Sequence, residues 1–375
     1  MKFLHTADLH LDSAFSSSDL FTADKKRVAQ RDTLARIFSL AKTEDCQMIL
    51  IAGDLFDGRY VTPETAALVK KLISEVEIPV IISPGNHDPY VNGCFYKSEG
   101  LPENLYIFNS SELQRFDFPE LDACVFGYAF TSSALTESPL NGQTAEQSCD
   151  IRLLCAHADL SSPISRYCPV TAGDISGLSI DYAALGHIHN RDADDSLGGS
   201  TIRYCGFPEG RSFDELGAGG VLIVEIDEDK KVTVSRKQVS AQKYEIRELD
   251  LSGFAQRQEI ISAIRSEADR AFEGTPTHLR LILTGTIDSD ELGDLDSLCE
   301  ELVSDRILSV EIKNETIPCS SIFELTSDVS LRGEFYRSLY SGLIHSDPAV
   351  RRKSALALQI GLAAIDGRRM TEGKD

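Results

Sequence analysis

Five short apolar runs in this chain each break off into Asp, Asn or His, and that recurrence restricts the fold more than any other feature. Phe3 and Leu4 lead into His5, Asp8 and His10 (KFLHTADLHLD). Met48 to Ala52 flow into Gly53, Asp54 and Asp57 (MILIAGDLFDG), and IPVIIS runs into PGNHD with Asn86, His87 and Asp88. Ile151 to Ala156 end in His157, and Tyr182 to Leu185 lead into GHIHN with His187 and His189. Helical segments separate the first three: a loosely amphipathic one over Lys25–Lys42, and one opening at Thr62 with Pro63 in its first turn. Strands alternating with helices, polar residues always at the strand's far end, predict an α/β fold whose ligands gather at the carboxyl ends of the strands.

Asp8 and His10 stand two apart, so both side chains leave the same side of an extended backbone. Alone, D-x-H is short enough to arise as a solvated strand-end Asp beside a chance His; the ordered later strand ends give it weight. His5 precedes the set and is expected to pack rather than ligate.

At 375 residues the chain is long for one domain and predicts a large domain with a smaller one. The first is expected to span 1–240, with a second, more antiparallel sheet beginning in the short strands between Leu105 and Phe130. Residues 241–318 read as an α+β unit whose lone His278 is structural or solvated. Residues 319–375 hold two helical segments. One carries Leu331, Phe335, Leu339 and Leu343; the other runs from Asp347-Pro348 to Gly367, and its Arg351, Arg352 and Lys353 suit a docking or core helix better than a DNA contact.

No secretory apolar region follows Met1 and no run approaches the ~20 residues needed to span a bilayer, so a cytoplasmic protein without a membrane partner is expected. The nine Cys are scattered without a C-x-x-C pair and read as reduced, mostly core residues, neither a disulfide framework nor a zinc site. A formal net charge of −22 argues against a generally basic, polyanion-binding surface. If DNA is the substrate, local Lys and Arg, metal ions or a partner must supply the attraction.

The blocks D-x-H, G-D, G-N-H-D, a lone His and G-H-x-H, in that order, resemble the calcineurin-like metallophosphoesterase superfamily over residues 1–240. GDLFD, PGNHD and GFPEGRSFDE are most similar to its DNA-repair exonuclease branch, the bacterial SbcD/YhaO-type nuclease subunits. The resemblance implies a four-layer αββα sandwich of two mixed sheets, with the C-terminal α+β unit as a cap domain that shapes DNA access, followed by terminal helices. It also implies two divalent ions, manganese foremost, with iron or magnesium as alternatives. Borderline ions such as manganese and iron accept both carboxylate and imidazole, and two ions can share one bridging carboxylate and one bridging hydroxide. Asp54, central in the series, is the natural bridge. By resemblance Asp8, His10 and His189 complete one site, and Asn86, His157 and His187 the other. The bridging hydroxide is expected to attack phosphorus while His87 stabilises the transition state or protonates the leaving oxygen, and Asp88 orients that imidazole from behind.

Some relatives carry a second active-site His where this chain has Asp57, so Asp57 either assists at the site or caps the following turn. Arg211 either meets phosphate or pairs with Glu209 or Asp214. The expected activity is a manganese-dependent DNA exonuclease, also able to nick single strands, in a DNA-repair complex with an SMC-like ATPase and with a homodimer as a further expectation. The competing readings are a small-molecule or phosphoprotein phosphoesterase, mildly favoured by the acidic charge, and a non-catalytic scaffold subunit, disfavoured by the intact ligand set.

Overall fold

The computed structural model describes all residues except 17–19, 144–148, 191–195, 255, 288–291, 293, 319–325, 344, 346 and 366–375. Cys319, Gly367 and the side chain of Arg352 therefore lie outside the described residues. The chain divides into two units, Met1–Lys243 and Tyr244–Asp375.

In the first unit, β1 (Lys2–Thr6), α1 (Leu20–Thr43), β2 (Ile49–Ile51), α2 (Pro63–Val76), β3 (Val80–Ile82) and β4 (Leu105–Ile107) come first. They are followed by β5 (Gln114–Phe118), β6 (Ala123–Gly127), β7 (Ile151–His157), α3 (Ala172–Gly177), β8 (Tyr182–Gly186) and β9 (Thr201–Tyr204). Two long strands come last, β10 (Gly217–Ile226) and β11 (Val232–Asp250), the latter continuing past Lys243 into the residues of the second unit. One sheet runs β11-β10-β1-β2-β3-β4, parallel from β1 to β4 and antiparallel between β1 and β10. The other runs β5-β6-β7-β8-β9.

Strand periodicity builds the layers. Leu4, Ile49, Ile51, Val80 and Ile82 face one side and pack with Leu34, Ile37 and Phe38 of α1 and Val69, Ile73 and Val76 of α2. Their alternates, Phe3, Leu50 and Ile81, join Val125, Leu153, Cys155, Tyr182 and Ala184 of the second sheet. The outer face of that sheet, with Phe126, Leu154, Ala183 and Leu185, is covered by Ile175 of α3 together with Leu178 and Leu140. Helix, sheet, sheet and helix are thus stacked, the αββα sandwich expected from the sequence. Thr62 caps α2 by accepting the Thr65 N–H, with Pro63 in the first turn, which is why that helix is legible in the sequence.

Two expectations are corrected. The second sheet is mainly parallel: only β5–β6 is antiparallel, because β6 to β9 are joined by crossovers. The cysteines are not all reduced, since Cys124 and Cys149 are joined by a disulfide; the β6–β7 pairing of Ala123 with Ile151 brings their backbones together. Cys46, Cys94, Cys155, Cys168, Cys205 and Cys299 are free thiols.

In the second unit the helix Arg257–Phe272 packs on a parallel pair, Thr277–Thr284 with Ile307–Asn314, around Leu281, Leu283, Ile260 and Ile264. His278 is buried here, its Nδ1 2.7 Å from Ser309 Oγ and its ring stacked on Tyr244. The helices Leu331–Leu343 and Pro348–Ile365 share a small core of Tyr336, Leu358 and Leu362. Among the described residues, no helix is long and apolar enough to cross a membrane.

Candidate metal centre

The carboxyl ends of β1, β2 and β3 in one sheet, and of β7 and β8 in the other, deliver the polar residues singled out in the sequence. Asp8, His10, Asp54 and His157 are all essentially inaccessible to solvent. Charged groups are rarely buried to that degree unless paired or bound to a metal. The backbone is strained where they sit: φ is +54° at Asp8, +47° at His10, +49° at Asp54 and +104° at His187. Such conformations cost of order 1–3 kcal/mol each and persist where the surroundings over-determine them. Glycines permit the crowding. A Cβ on Gly85 would lie 2.1 Å from Asp54 Oδ1, and one on Gly53 2.3 Å from His157 Nδ1.

Three groups of donor atoms converge among the described residues, each within 4.8 Å: Asp8, His10 and His189; Asp8, Asp54 and His157; and His10, Asp54 and His87. Nε2 of His10 lies 3.3 Å from Nε2 of His189 and 3.8 Å from Asp54 Oδ2. The His189 nitrogen is in turn 3.6 Å from Asp8 Oδ1. His157 Nε2 is 3.3 Å from Asp54 Oδ2 and 2.9 Å from Asn86 Oδ1. Asp8 accepts the His187 N–H, and Asp54 Oδ1 accepts the His87 N–H at 2.9 Å. His187 belongs to none of the three groups; its ring stands 5.2 Å from that of His157 and 5.0 Å from that of Tyr167, with Nε2 3.9 Å from Asp159.

Behind the imidazoles stand acceptors that fix which nitrogen faces inward. His10 Nδ1 is 3.1 Å from Asp57 Oδ1, and His189 Nδ1 is 2.6 Å from Glu215 Oε1. His157 Nδ1 donates to Ala52 O at 3.0 Å. With the Nδ1–H groups so committed, the Nε2 atoms of all three rings turn toward the carboxylates of Asp8 and Asp54. Imidazole and carboxylate donors aimed at a common interior are a fit for divalent metal cations.

The electrostatics follow. Burial works against a charged His157, yet the Asp54 carboxylate outweighs it and pushes the imidazole up to about 9. His189 is likewise raised to about 10 by Asp8 and Glu215 against the same burial cost. Burial and the charge of His157 push His187 down to about 4. Burial would raise Asp54, but His157 and His10 hold it far below the usual carboxylate range. His87 is raised, chiefly by its hydrogen bond to Asp57.

Three sequence expectations change here. Asp88 does not orient His87: it accepts N–H bonds from Gly85 (2.8 Å) and Phe56 (3.1 Å) and the Tyr96 hydroxyl, and so ties down the loop that carries Asn86. The residue on the His87 imidazole is Asp57, 3.1 Å from Nδ1. Asp57 thus sits at the site rather than merely capping a turn. Arg211 pairs with Glu215 at 2.8 Å, while Glu209 is buried elsewhere against Thr33 and the amides of Ala241 and Gln242. Glu215 was missed by sequence reasoning; its one signal was the place four residues after Arg211 in GRSFDE. His5 packs as expected, buried with Nδ1 2.9 Å from the Tyr182 hydroxyl and Nε2 3.2 Å from Leu185 O.

The family model described as calcineurin-like phosphoesterase matches residues 1–191. The chain belongs to that family. Among curated phosphoesterase relatives, the uncharacterized metallophosphoesterase YhaO of Bacillus subtilis is 30% identical over 237 residues, covering 60% of this chain and 57% of that protein. The SbcD component of nuclease SbcCD from Staphylococcus epidermidis is 27% identical over 267 residues, 61% of this chain and 67% of that protein. The DNA double-strand break repair protein Mre11 of Methanopyrus kandleri is 25% identical over 256 residues, 60% of this chain and 54% of that protein. The chain thus spans between about half and two thirds of the length of these relatives.

Proposed function

We propose that the chain is a two-cation phosphodiesterase that acts on DNA as an exonuclease and also nicks single strands. What supports this is the convergence of Asp8, His10, Asp54, His157 and His189 from four strand ends, with Asn86 from a fifth alongside. Asp8, His10 and His189 would hold one cation, Asn86 and His157 the other with His187 nearby, and Asp54 would serve both. When bound, the cations supply an activated water and neutralise charge developing on the phosphoryl oxygens.

The chain's own residues do the rest. The buried carboxylates of Asp8 and Asp54 hold the imidazoles in place and keep the pocket anionic enough to attract dications. His87 has its side chain 45% exposed and its Nδ1 committed to Asp57, so its Nε2 is free to face a substrate. Its hydrogen bond to Asp57 shifts the imidazole toward the protonated form, so that it can donate a proton to the leaving oxygen. Asp88 keeps the Asn86–His87 turn rigid, and Asp57 fixes the ring plane. The region after Tyr244 would cap DNA, the two terminal helices would meet an SMC-like ATPase or a second copy of the chain, and the site of action would be the cytoplasm.

The net charge of −22 favours one second reading, a phosphoesterase for small nucleotide diesters. The test is manganese-dependent release of nucleotides from linear duplex DNA, run beside hydrolysis of nucleotide diesters. Release from DNA is expected; activity on the small esters alone would remove the nuclease assignment.

A further inference from the structure

We propose that Arg211 is a positioning residue that holds, through two carboxylates, three of the imidazoles around this centre; the proposal builds on the two-cation reading of the site. Glu215 receives Nη2 of Arg211 at 2.8 Å, Nε at 3.2 and 3.3 Å, and the Arg211 backbone N–H at 2.8 Å. The Oε1 atom of that carboxylate is the one on Nδ1 of His189. On its other side the guanidinium reaches Asp57 Oδ1 with Nη1 at 3.6 Å. That single Asp57 oxygen is shared by Nδ1 of His10 and Nδ1 of His87, each at 3.1 Å. The Nη2 group is also 3.4 Å from His189 Nδ1.

All three side-chain nitrogens of Arg211 are therefore turned to Glu215, His189 or Asp57. A planar guanidinium can serve two carboxylates at fixed angles, whereas an ammonium is a point donor that cannot. The charge balance points the same way. Asp57 and Glu215 stand beside the buried Asp8 and Asp54, and one interposed cation lets the outer pair stay ionised and in register with the rings they hold. Groups behind a metal-ligating His fix its rotamer and tautomer, and losing them typically costs about 10–100-fold in metal affinity or activity.

The experiment measures Mn²⁺ affinity by calorimetry, and kcat and KM for bis(p-nitrophenyl) phosphate at saturating Mn²⁺. It compares the parent chain with Arg211→Lys, Glu215→Gln and the double variant. Each single change is expected to weaken Mn²⁺ binding about 10–100-fold and to lower kcat, with KM within about twofold. The double variant is expected to be scarcely worse than the poorer single one, because both act through one contact. Parent Mn²⁺ affinity and kcat with a raised KM in Arg211→Lys would make Arg211 a substrate contact and overturn the proposal. So would parent behaviour in both single variants. Should the parent bind Mn²⁺ but hydrolyse no diester, the phosphodiesterase reading falls while the affinity series still decides the role of Arg211.

Discussion

The two halves of the proposed two-cation centre are built from similar residues and supported in different ways. On the side of Asp8, His10 and His189, each imidazole is backed by an ionised carboxylate, Asp57 or Glu215, and those carboxylates are gripped by Arg211. On the side of Asn86, His157 and His187, support comes from the main chain and from distance: Ala52 O holds His157, and Asp159 stands 3.9 Å from His187. Charge-assisted support is stronger and more directional than a carbonyl bond. The first half should therefore hold its cation more rigidly, with the second the more readily emptied.

The largest expected effect erases the difference. Asp54 faces both halves, so Asp54→Asn should abolish tight binding of two cations and lower kcat by about a thousandfold or more; retention of both cations with near-parent kcat would break the comparison. Next, His87→Gln should lower kcat by roughly 10²–10⁴-fold while both cations remain bound. Calorimetry beside steady-state rates checks this, and unchanged hydrolysis would remove His87 from the chemistry.

A third effect lies in pH. Each half pairs one imidazole that prefers its proton, His189 at about 10 or His157 at about 9, with one that does not, the lowered His10 or His187 at about 4. Cation ligands must be deprotonated, so each cation displaces about one proton at neutral pH. Lowering the pH keeps His157 and His189 charged, and affinity should fall by roughly tenfold per proton per pH unit. Titrations in buffers of differing ionisation enthalpy should count about two protons released for two cations; proton-neutral loading would contradict it. The smallest effect sharpens the asymmetry: Asp159→Asn should weaken the second cation by less than about tenfold, against the larger loss expected for Glu215→Gln.

What the sequence carried and what it withheld divide along physical lines. Strand ends are legible because apolar runs stop abruptly, and Asp8, Asp54, His157 and His189 stand where those runs stop. Partnerships across loops are not, because no local pattern says that Asp88 meets Tyr96 and two amides while Asp57 meets His87. The same holds for Glu215 and for the Cys124–Cys149 bridge, both made by tertiary proximity. Helix α1 shows a third case. Its apolar stripe is loose because buried positions are polar: Gln30 donates to the carbonyls of Leu9 and His10, and Thr33 to Glu209. The residues that blur its periodicity are the ones holding the Asp8–His10 turn and the Glu209 loop.

The central claim is that two cations share Asp54. Anomalous scattering at the manganese edge, from a crystal grown with Mn²⁺, tests it directly. Two peaks about 3.5–4 Å apart, one beside Asp8, His10 and His189 and one beside Asn86 and His157, are the predicted result. A single peak away from Asp54, or none with Mn²⁺ in excess, would contradict it.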